Sequence, residues 1–222
     1  GTIAYATTPS GTWTTKDLWS GSWSNYTASI NTICYYNNYF VVGGKKGFNG
    51  VYYGTIAYAT TPSGTWTTKD LWTGTSSSST VNLYCLTYAN SYWVVGGTRY
   101  TSSTYYASIA YATSLSGTWT TKDLFGYSSS GSIIKGIVYG DGYFVASGTY
   151  RNGSTYYPRV AYTASPSGTW STKNLWSGNN NNEANCIAYG NGYFAVGGKR
   201  YASSTSSAHL SYADKPANFV TE

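Results

Sequence analysis

One phrase is written four times in this 222-residue chain, and its spacing leaves few folds open. The cleanest copy runs from Ile56 to Trp72, with others at 3–19, 109–125 and 160–176 and an eroded one at 210–219. Its Gly-Thr-Trp step places Trp13, Trp66, Trp119 and Trp170 at spacings of 53, 53 and 51 residues. A repeat of that length is one supersecondary unit, which buries its apolar surface only against its neighbours.

A second element lies between the phrases, from Ile33 to Gly44, Leu86 to Gly97, Ile137 to Gly148 and Ile187 to Gly198. Its centres are Asn37-Asn38, Asn90-Ser91, Asp141-Gly142 and Asn191-Gly192. Type I′ turns need positive φ at both central residues, so each copy predicts a tight hairpin. The arms are apolar on both faces, as at Tyr39-Phe40-Val41-Val42, and such strands are covered on both sides. Gly43-Gly44 and its copies read as strand-end glycines. The phrase adds two strands, Ile56–Ala59 and Thr65–Trp72, around a Pro62-Ser63-Gly64 turn. Trp19, Trp72, Phe125 and Trp176 end the later strand and are expected to pack between sheets.

Four short antiparallel strands per repeat, set radially, make an all-β propeller. Four hairpins favour four blades, with five as the alternative and a fragment of a longer array also open. The ring is expected to close by pairing strands from both termini, which removes exposed edges. One domain over 1–222 would then divide into repeats 1–27, 28–78, 79–130, 131–182 and 183–222.

The segments Ala59 to Trp66 and Thr163 to Trp170 resemble a degenerate Asp-box, the Ser-x-Asp-x-Gly-x-Thr-Trp turn of sialidase-like (BNR) propellers. Thr-Trp is kept, while Thr or Ser stands at the Asp position and Ser at the Gly position. The hairpin from Ile187 to Gly197 also resembles propeller repeats of bacterial surface and phage proteins. The resemblance covers nearly the whole chain and implies a fold in which the box is structural, its Trp buried between blades. In sialidases proper it would imply an arginine cluster, a Tyr–Glu nucleophile pair and an Asp acid/base.

Composition narrows the function classes. Charged residues are 9% and aromatic residues 18%, too aromatic for a disordered chain despite abundant Ser, Thr and Asn. The formal charge is +6, but the 13 basic residues are scattered through the repeats, which argues against nucleic acid as partner. No apolar run approaches the ~20 residues of a membrane-spanning helix. Low charge and the absence of Met suggest an extracellular, cell-surface or virion setting, and a start at Gly suggests a processed or excised segment. Cys34, Cys85 and Cys186 fit no metal spacing, lie in apolar stretches and read as small buried thiols; no cofactor or metal is expected.

The acids offer no evident catalytic pair. Asp17, Asp70 and Asp123 share one repeat position with Asn174; Asp141 is a turn residue, Asp214 and Glu222 lie in the tail, and only Glu183 lacks a structural explanation. A two-carboxylate glycosidase needs two acids at a defined separation. His209 has no Ser or Cys partner for triad chemistry. These residues predict a binding module without catalysis.

In propellers of the resembled kind, the loops after and before each hairpin open on one face. The loops after it carry Lys45, Lys46, Tyr52 and Tyr53; Arg99, Tyr100, Tyr105 and Tyr106; Tyr150, Arg151, Tyr156 and Tyr157; and Lys199, Arg200 and Tyr201, with Ser206-Ser207 in place of the Tyr pair. The loops before it add Trp23, Asn25, Tyr26, Tyr127 and Asn179 to Asn182. Flat rings beside hydrogen-bonding groups suit sugars and protein surfaces. The expected partner is therefore a glycan or a cell-surface protein. The alternatives are a structural or host-recognition module of a phage fibre or surface assembly, and a glycoside hydrolase or lyase.

Overall fold

A computed structural model describes residues 1–21, 26–75, 81–101, 103–127, 131–176, 181–202 and 204–220. These form five antiparallel sheets in chain order, each a meander of sequential strands. The first sheet holds β1 (Thr2–Tyr5) and β2 (Thr14–Asp17). The second holds β3 (Thr27–Tyr36), β4 (Tyr39–Phe48), β5 (Val51–Ala59) and β6 (Thr67–Thr75). The third holds β7 (Asn82–Ala89), β8 (Tyr92–Thr101), β9 (Thr104–Ala112) and β10 (Thr120–Tyr127). The fourth holds β11 (Ile133–Gly140), β12 (Tyr143–Asn152), β13 (Thr155–Thr163) and β14 (Ser171–Asn174). The fifth has three strands, β15 (Glu183–Gly190), β16 (Tyr193–Ala202) and β17 (Thr205–Ala213), followed by a 3-10 turn at Pro216–Asn218.

The hairpin turns form as their residues dictate, with φ of 48° and 62° at Asn37 and Asn38 and of 45° and 80° at Asp141 and Gly142. The strands they join are covered on both faces. Val41 and Ile56 pack against Leu86, Trp93 and Val95 of the third sheet, while Val42 and Ala57, pointing the other way, meet Ile3 and Trp19 of the first. Ile109 packs on Phe144 and Ala146, and Val160 on Phe194 and Val196, so the same contact carries each sheet onto the next. Trp19, Trp72, Phe125 and Trp176 are buried, as expected.

A lysine ties each sheet to the next. Lys16 donates to the Ser63 carbonyl at 3.1 Å, Lys69 to Ser116 at 3.0 Å, Lys122 to Ser167 at 2.6 Å and Lys173 to Ala217 at 2.7 Å. In each case the last strand of one sheet reaches the turn that ends the following sheet's third strand, or its counterpart at the C terminus. Within those turns Trp13, Trp66, Trp119 and Trp170 donate their indole N–H to the carbonyl four residues back.

The paired glycines are not at strand ends. They lie in mid-strand, opposite a bulge in each sheet's first strand at Asn31, Tyr84, Lys135 or Asn185. A Cβ on Gly97 would overlap the Asn82 carbonyl oxygen, so the bulged backbone requires glycine beside it. The bulge also turns its residue toward the neighbouring first strand. Asn31 Nδ2 donates to Asn82 Oδ1 (2.6 Å), and Lys135 Nζ to Glu183 Oε2 (2.8 Å) and Asn185 Oδ1 (2.6 Å). Glu183 thus has a structural partner at the same repeat position as Asn82.

Strand pairing does not close the array. The last strand, β17, pairs with β16 alone and β1 with β2 alone, so the expected pairing of terminal strands is absent among the described residues. The last sheet is accordingly bare on its outer face. Leu210 is 63% exposed, whereas Ile56, Ile109 and Val160 at the same repeat position are each 0% exposed. Cys186, expected to be buried, is exposed; Cys85 is buried and Cys34 half-buried. Among the described residues no helix is long and apolar enough to cross a membrane.

An uncovered Leu210 predicts a contrast between equivalent positions. Ile109→Asp buries an unpaired carboxylate and should cost at least about 3 kcal/mol in urea unfolding, or prevent folding. Leu210→Asp should stay within about 0.5 kcal/mol of the parent. Equal damage by the two would mean that the last sheet is covered in solution.

Candidate functional site

The basic and aromatic segments expected as loops are strands. β4 and β5 extend as far as Phe48 and Val51 around Asn49-Gly50, whose φ values are 50° and 76°. Asn-Gly is itself the strongest short hairpin signal, and it could have been read from the sequence. The extension makes the expected residues cross-strand partners: Lys46 opposite Tyr53, Arg99 opposite Tyr106, Tyr100 opposite Tyr105, Arg151 opposite Tyr156, and Arg200 opposite Ser207. Cation and ring then stack. Lys45 lies 5.8 Å from the centre of the Tyr52 ring, Lys46 5.7 Å from Tyr53, Arg99 5.8 Å from Tyr106 and Arg151 5.1 Å from Tyr156.

The sheet's last strand adds an acid to this pair. Lys46 Nζ is 3.0 Å from Asp70 Oδ1, which also accepts from the Thr55 hydroxyl at 2.8 Å. In the third sheet Arg99 Nη2 is 2.6 Å from Asp123 Oδ2, and Ser108 Oγ donates to Asp123 Oδ1 at 2.6 Å. Cation, hydroxyl and carboxylate therefore come from three adjacent strands at fixed repeat positions.

The second sheet's copy opens into a cleft of about 370 Å³, lined by Tyr26, Lys46, Phe48, Tyr53 and Asp70 together with Ser20 and Gly21. Burial raises the Tyr26 phenol above its ordinary pKa, and the negative charge of Asp70 raises it further. An acid, a phenol that keeps its proton, a lysine and a flat ring thus meet in one concavity. Sequence reasoning set Asp70 aside because its position repeats. A repeated position can still line a cleft: here the segment after the first sheet supplies Ser20, Gly21 and Tyr26 beside Asp70.

The third sheet's Asp123 lines a cavity of about 360 Å³ with Lys122, Leu124 and Trp170, whereas the copies in the fourth and fifth sheets diverge. In the fourth sheet Tyr150 replaces the cation, Arg159 replaces the hydroxyl residue and Asn174 the acid; Arg159 Nε donates to Asn174 Oδ1 at 2.8 Å and its guanidinium lies 4.1 Å from the Tyr150 ring centre. Tyr157 stacks on Tyr150 at 6.0 Å. In the fifth sheet, Arg200 Nε is buried without a hydrogen-bond partner among the described residues, and the Tyr201 amide donates to Asn182 Oδ1 at 2.7 Å. His209 packs 4.8 Å from the Trp176 ring. The expected residues are therefore distributed over four sheets, and the Asp70 cleft gathers Lys46 and Tyr53. Trp23, Asn25, Asn179 and Asn180 lie outside the described residues. No group of three potential metal ligands occurs among the described residues.

No protein-family model matches the sequence, and no curated protein matches it. Solved structures do. A Trypanosoma rangeli sialidase in complex with the inhibitor DANA is similar at 11% identity and TM-score 0.51, over 86% of this chain and 37% of that one. The same sialidase in complex with sialic acid gives 11% identity and TM-score 0.51, over 97% and 39%. A thermostable family-43 glycoside hydrolase gives 11% and 0.51, over 81% and 69%. This chain thus spans well under half the length of the sialidase. The likeness is one of fold and fits a sialidase-like propeller; no family match supports the Asp-box repeat itself. It corrects the expectation of a module without catalysis, because the chains that share the architecture are glycosidases. That expectation rested on discounting every acid at a repeated position, Asp70 included.

The environment of Tyr26 predicts its titration. Asp70→Asn removes the negative charge and should lower the Tyr26 pKa, although burial should keep it above the ordinary phenol value; ring-carbon NMR of labelled tyrosine reads both. Burial pushes the thiols of Cys34 and Cys85 up to about 12. At pH 8 a disulfide reagent should therefore modify one thiol per folded chain rapidly, and Cys186→Ser should abolish that phase.

Proposed function

We propose that this chain is a carbohydrate-active protein of glycoside hydrolase type, with the Asp70 cleft as its reaction site. The observation that carries the reading is the meeting of Asp70, Tyr26, Lys46 and Tyr53 in one open concavity. Its architecture, shared with a sialidase and a family-43 glycoside hydrolase, supports the choice of substrate class.

Each residue has a task that its surroundings suit. The Tyr53 ring, with the Lys46 ammonium 5.7 Å from its centre, offers a flat surface to the apolar face of a sugar. Asp70, fixed by Lys46 and the Thr55 hydroxyl, takes a proton from the attacking water as its oxygen bonds to the anomeric carbon. The carboxylate also stabilises the positive charge that develops on that carbon. Tyr26, whose phenol keeps its proton at neutral pH, donates a hydrogen bond to the glycosidic oxygen, and that oxygen takes its proton from solvent as the carbon–oxygen bond breaks. The proton gained by Asp70 is then returned to solvent.

The test is release of nitrophenol from a panel of aryl glycosides that includes a sialoside and neutral hexosides and pentosides. The parent should hydrolyse at least one, and Asp70→Asn should lower kcat by about 10²-fold or more. Glu183→Gln, whose carboxylate serves an inter-sheet tie, should keep most of the activity. Turnover of none of the panel, or loss through Glu183→Gln and not through Asp70→Asn, would overturn the assignment.

A further inference from the structure

A further cavity, of about 360 Å³, lies at the other end of the same strands. In β3, Thr27 pairs with Gly47 beside the Asp70 cleft, whereas Tyr36 pairs with Tyr39 at the hairpin turn. Ten residues of strand separate the two ends, roughly 30 Å. Tyr36 lines this cavity with Tyr88, Tyr139 and Tyr189, one tyrosine from the end of each of β3, β7, β11 and β15. Leu86 and Ile137 supply its apolar wall.

Two properties distinguish it from a gap left by packing. Three of its four tyrosines are held from behind by a ring of their own sheet: Tyr88 by Trp93 at 4.7 Å, Tyr139 by Phe144 at 4.7 Å and Tyr189 by Phe194 at 4.6 Å. Their ring faces are therefore fixed before any ligand arrives, which lowers the entropic cost of binding. Among the described residues no charged side chain lines the cavity, and the side-chain polar groups there are the phenol hydroxyls and the Thr87 hydroxyl. A charged ligand would lose hydration there without gaining a partner. A ring with apolar C–H faces and a rim of hydroxyls would keep both kinds of contact, and the volume falls in the range of small-ligand sites.

We propose that this cavity is a binding site for a neutral sugar ring, separate from the Asp70 cleft. The choice of sugar over other uncharged rings rests on the carbohydrate reading above. The site would hold a neutral stretch of glycan at the end of the array remote from the cleft, and none of its residues takes part in bond cleavage.

The test uses the folded chain, with tyrosine ring carbons labelled for NMR. The probes are the neutral hexamers of cellulose, xylan and starch, the anionic hexamer of galacturonic acid, and p-cresol as an apolar ring. At least one neutral hexamer should shift the signals of Tyr36 and Tyr139 with a Kd of about 1 mM or tighter. Tyr36→Ala and Tyr139→Ala should each weaken binding about tenfold, and Tyr139→Phe should retain most of it because the ring face remains. Tyr36 is 44% exposed, so its removal tests the site without endangering the fold. Asp70→Asn should leave this binding unchanged while it removes hydrolysis, so failure of either site shows separately. The proposal is overturned if no neutral hexamer binds, if binding is indifferent to both alanine variants, if galacturonate binds as well as the neutral sugars, or if p-cresol alone binds.

Discussion

Burial of strands on both faces is the constraint on which this molecule depends. Val41 and Val42 are successive residues on one strand, yet each is buried, one against the third sheet and one against the first. No single sheet of this sequence could keep both from water, so a repeat has no stable existence apart from its neighbours. The hydrophobic stacking sets the distance between sheets but gives little register along the strand, being non-directional. The lysine that crosses from each last strand to the next sheet's turn supplies direction, since an ammonium meets a carbonyl at one place only.

The same repetition produces the site. In the second and third sheets a cation on the second strand, a hydroxyl on the third and a carboxylate on the fourth are brought together by antiparallel register. What differs is the surface around them. The Asp70 copy faces a cleft completed by Ser20, Gly21 and Tyr26 from the segment after the first sheet, whereas the fourth sheet has exchanged its carboxylate for Asn174 and moved its cation to Arg159.

The bulges show how a local irregularity serves the whole. The first strand of each of the second to fifth sheets carries one extra residue, and glycine is required on the strand beside it because a Cβ would overlap the bulged backbone. Two of these extra residues, Asn31 and Lys135, reach the first strand of the following sheet and bind Asn82 and Glu183. An acid that looks isolated in the sequence is thereby part of the ties between sheets.

The sequence by itself determined the repeat, the hairpins and the two-sided strands, because these follow from local φ preferences and from periodicity that neighbours in the chain already express. Asn37-Asn38 and its copies turn as their residue types require, and Trp72 and its copies are buried as their positions imply. Only the tertiary structure decided that Tyr26 joins Asp70 and Lys46 in one cleft, that Glu183 is tied to Lys135, and that the last sheet leaves Leu210 bare. The physical reason is the same in each case. Equivalent residues read alike in one dimension, and what separates them is the sheet lying, or not lying, against them in three.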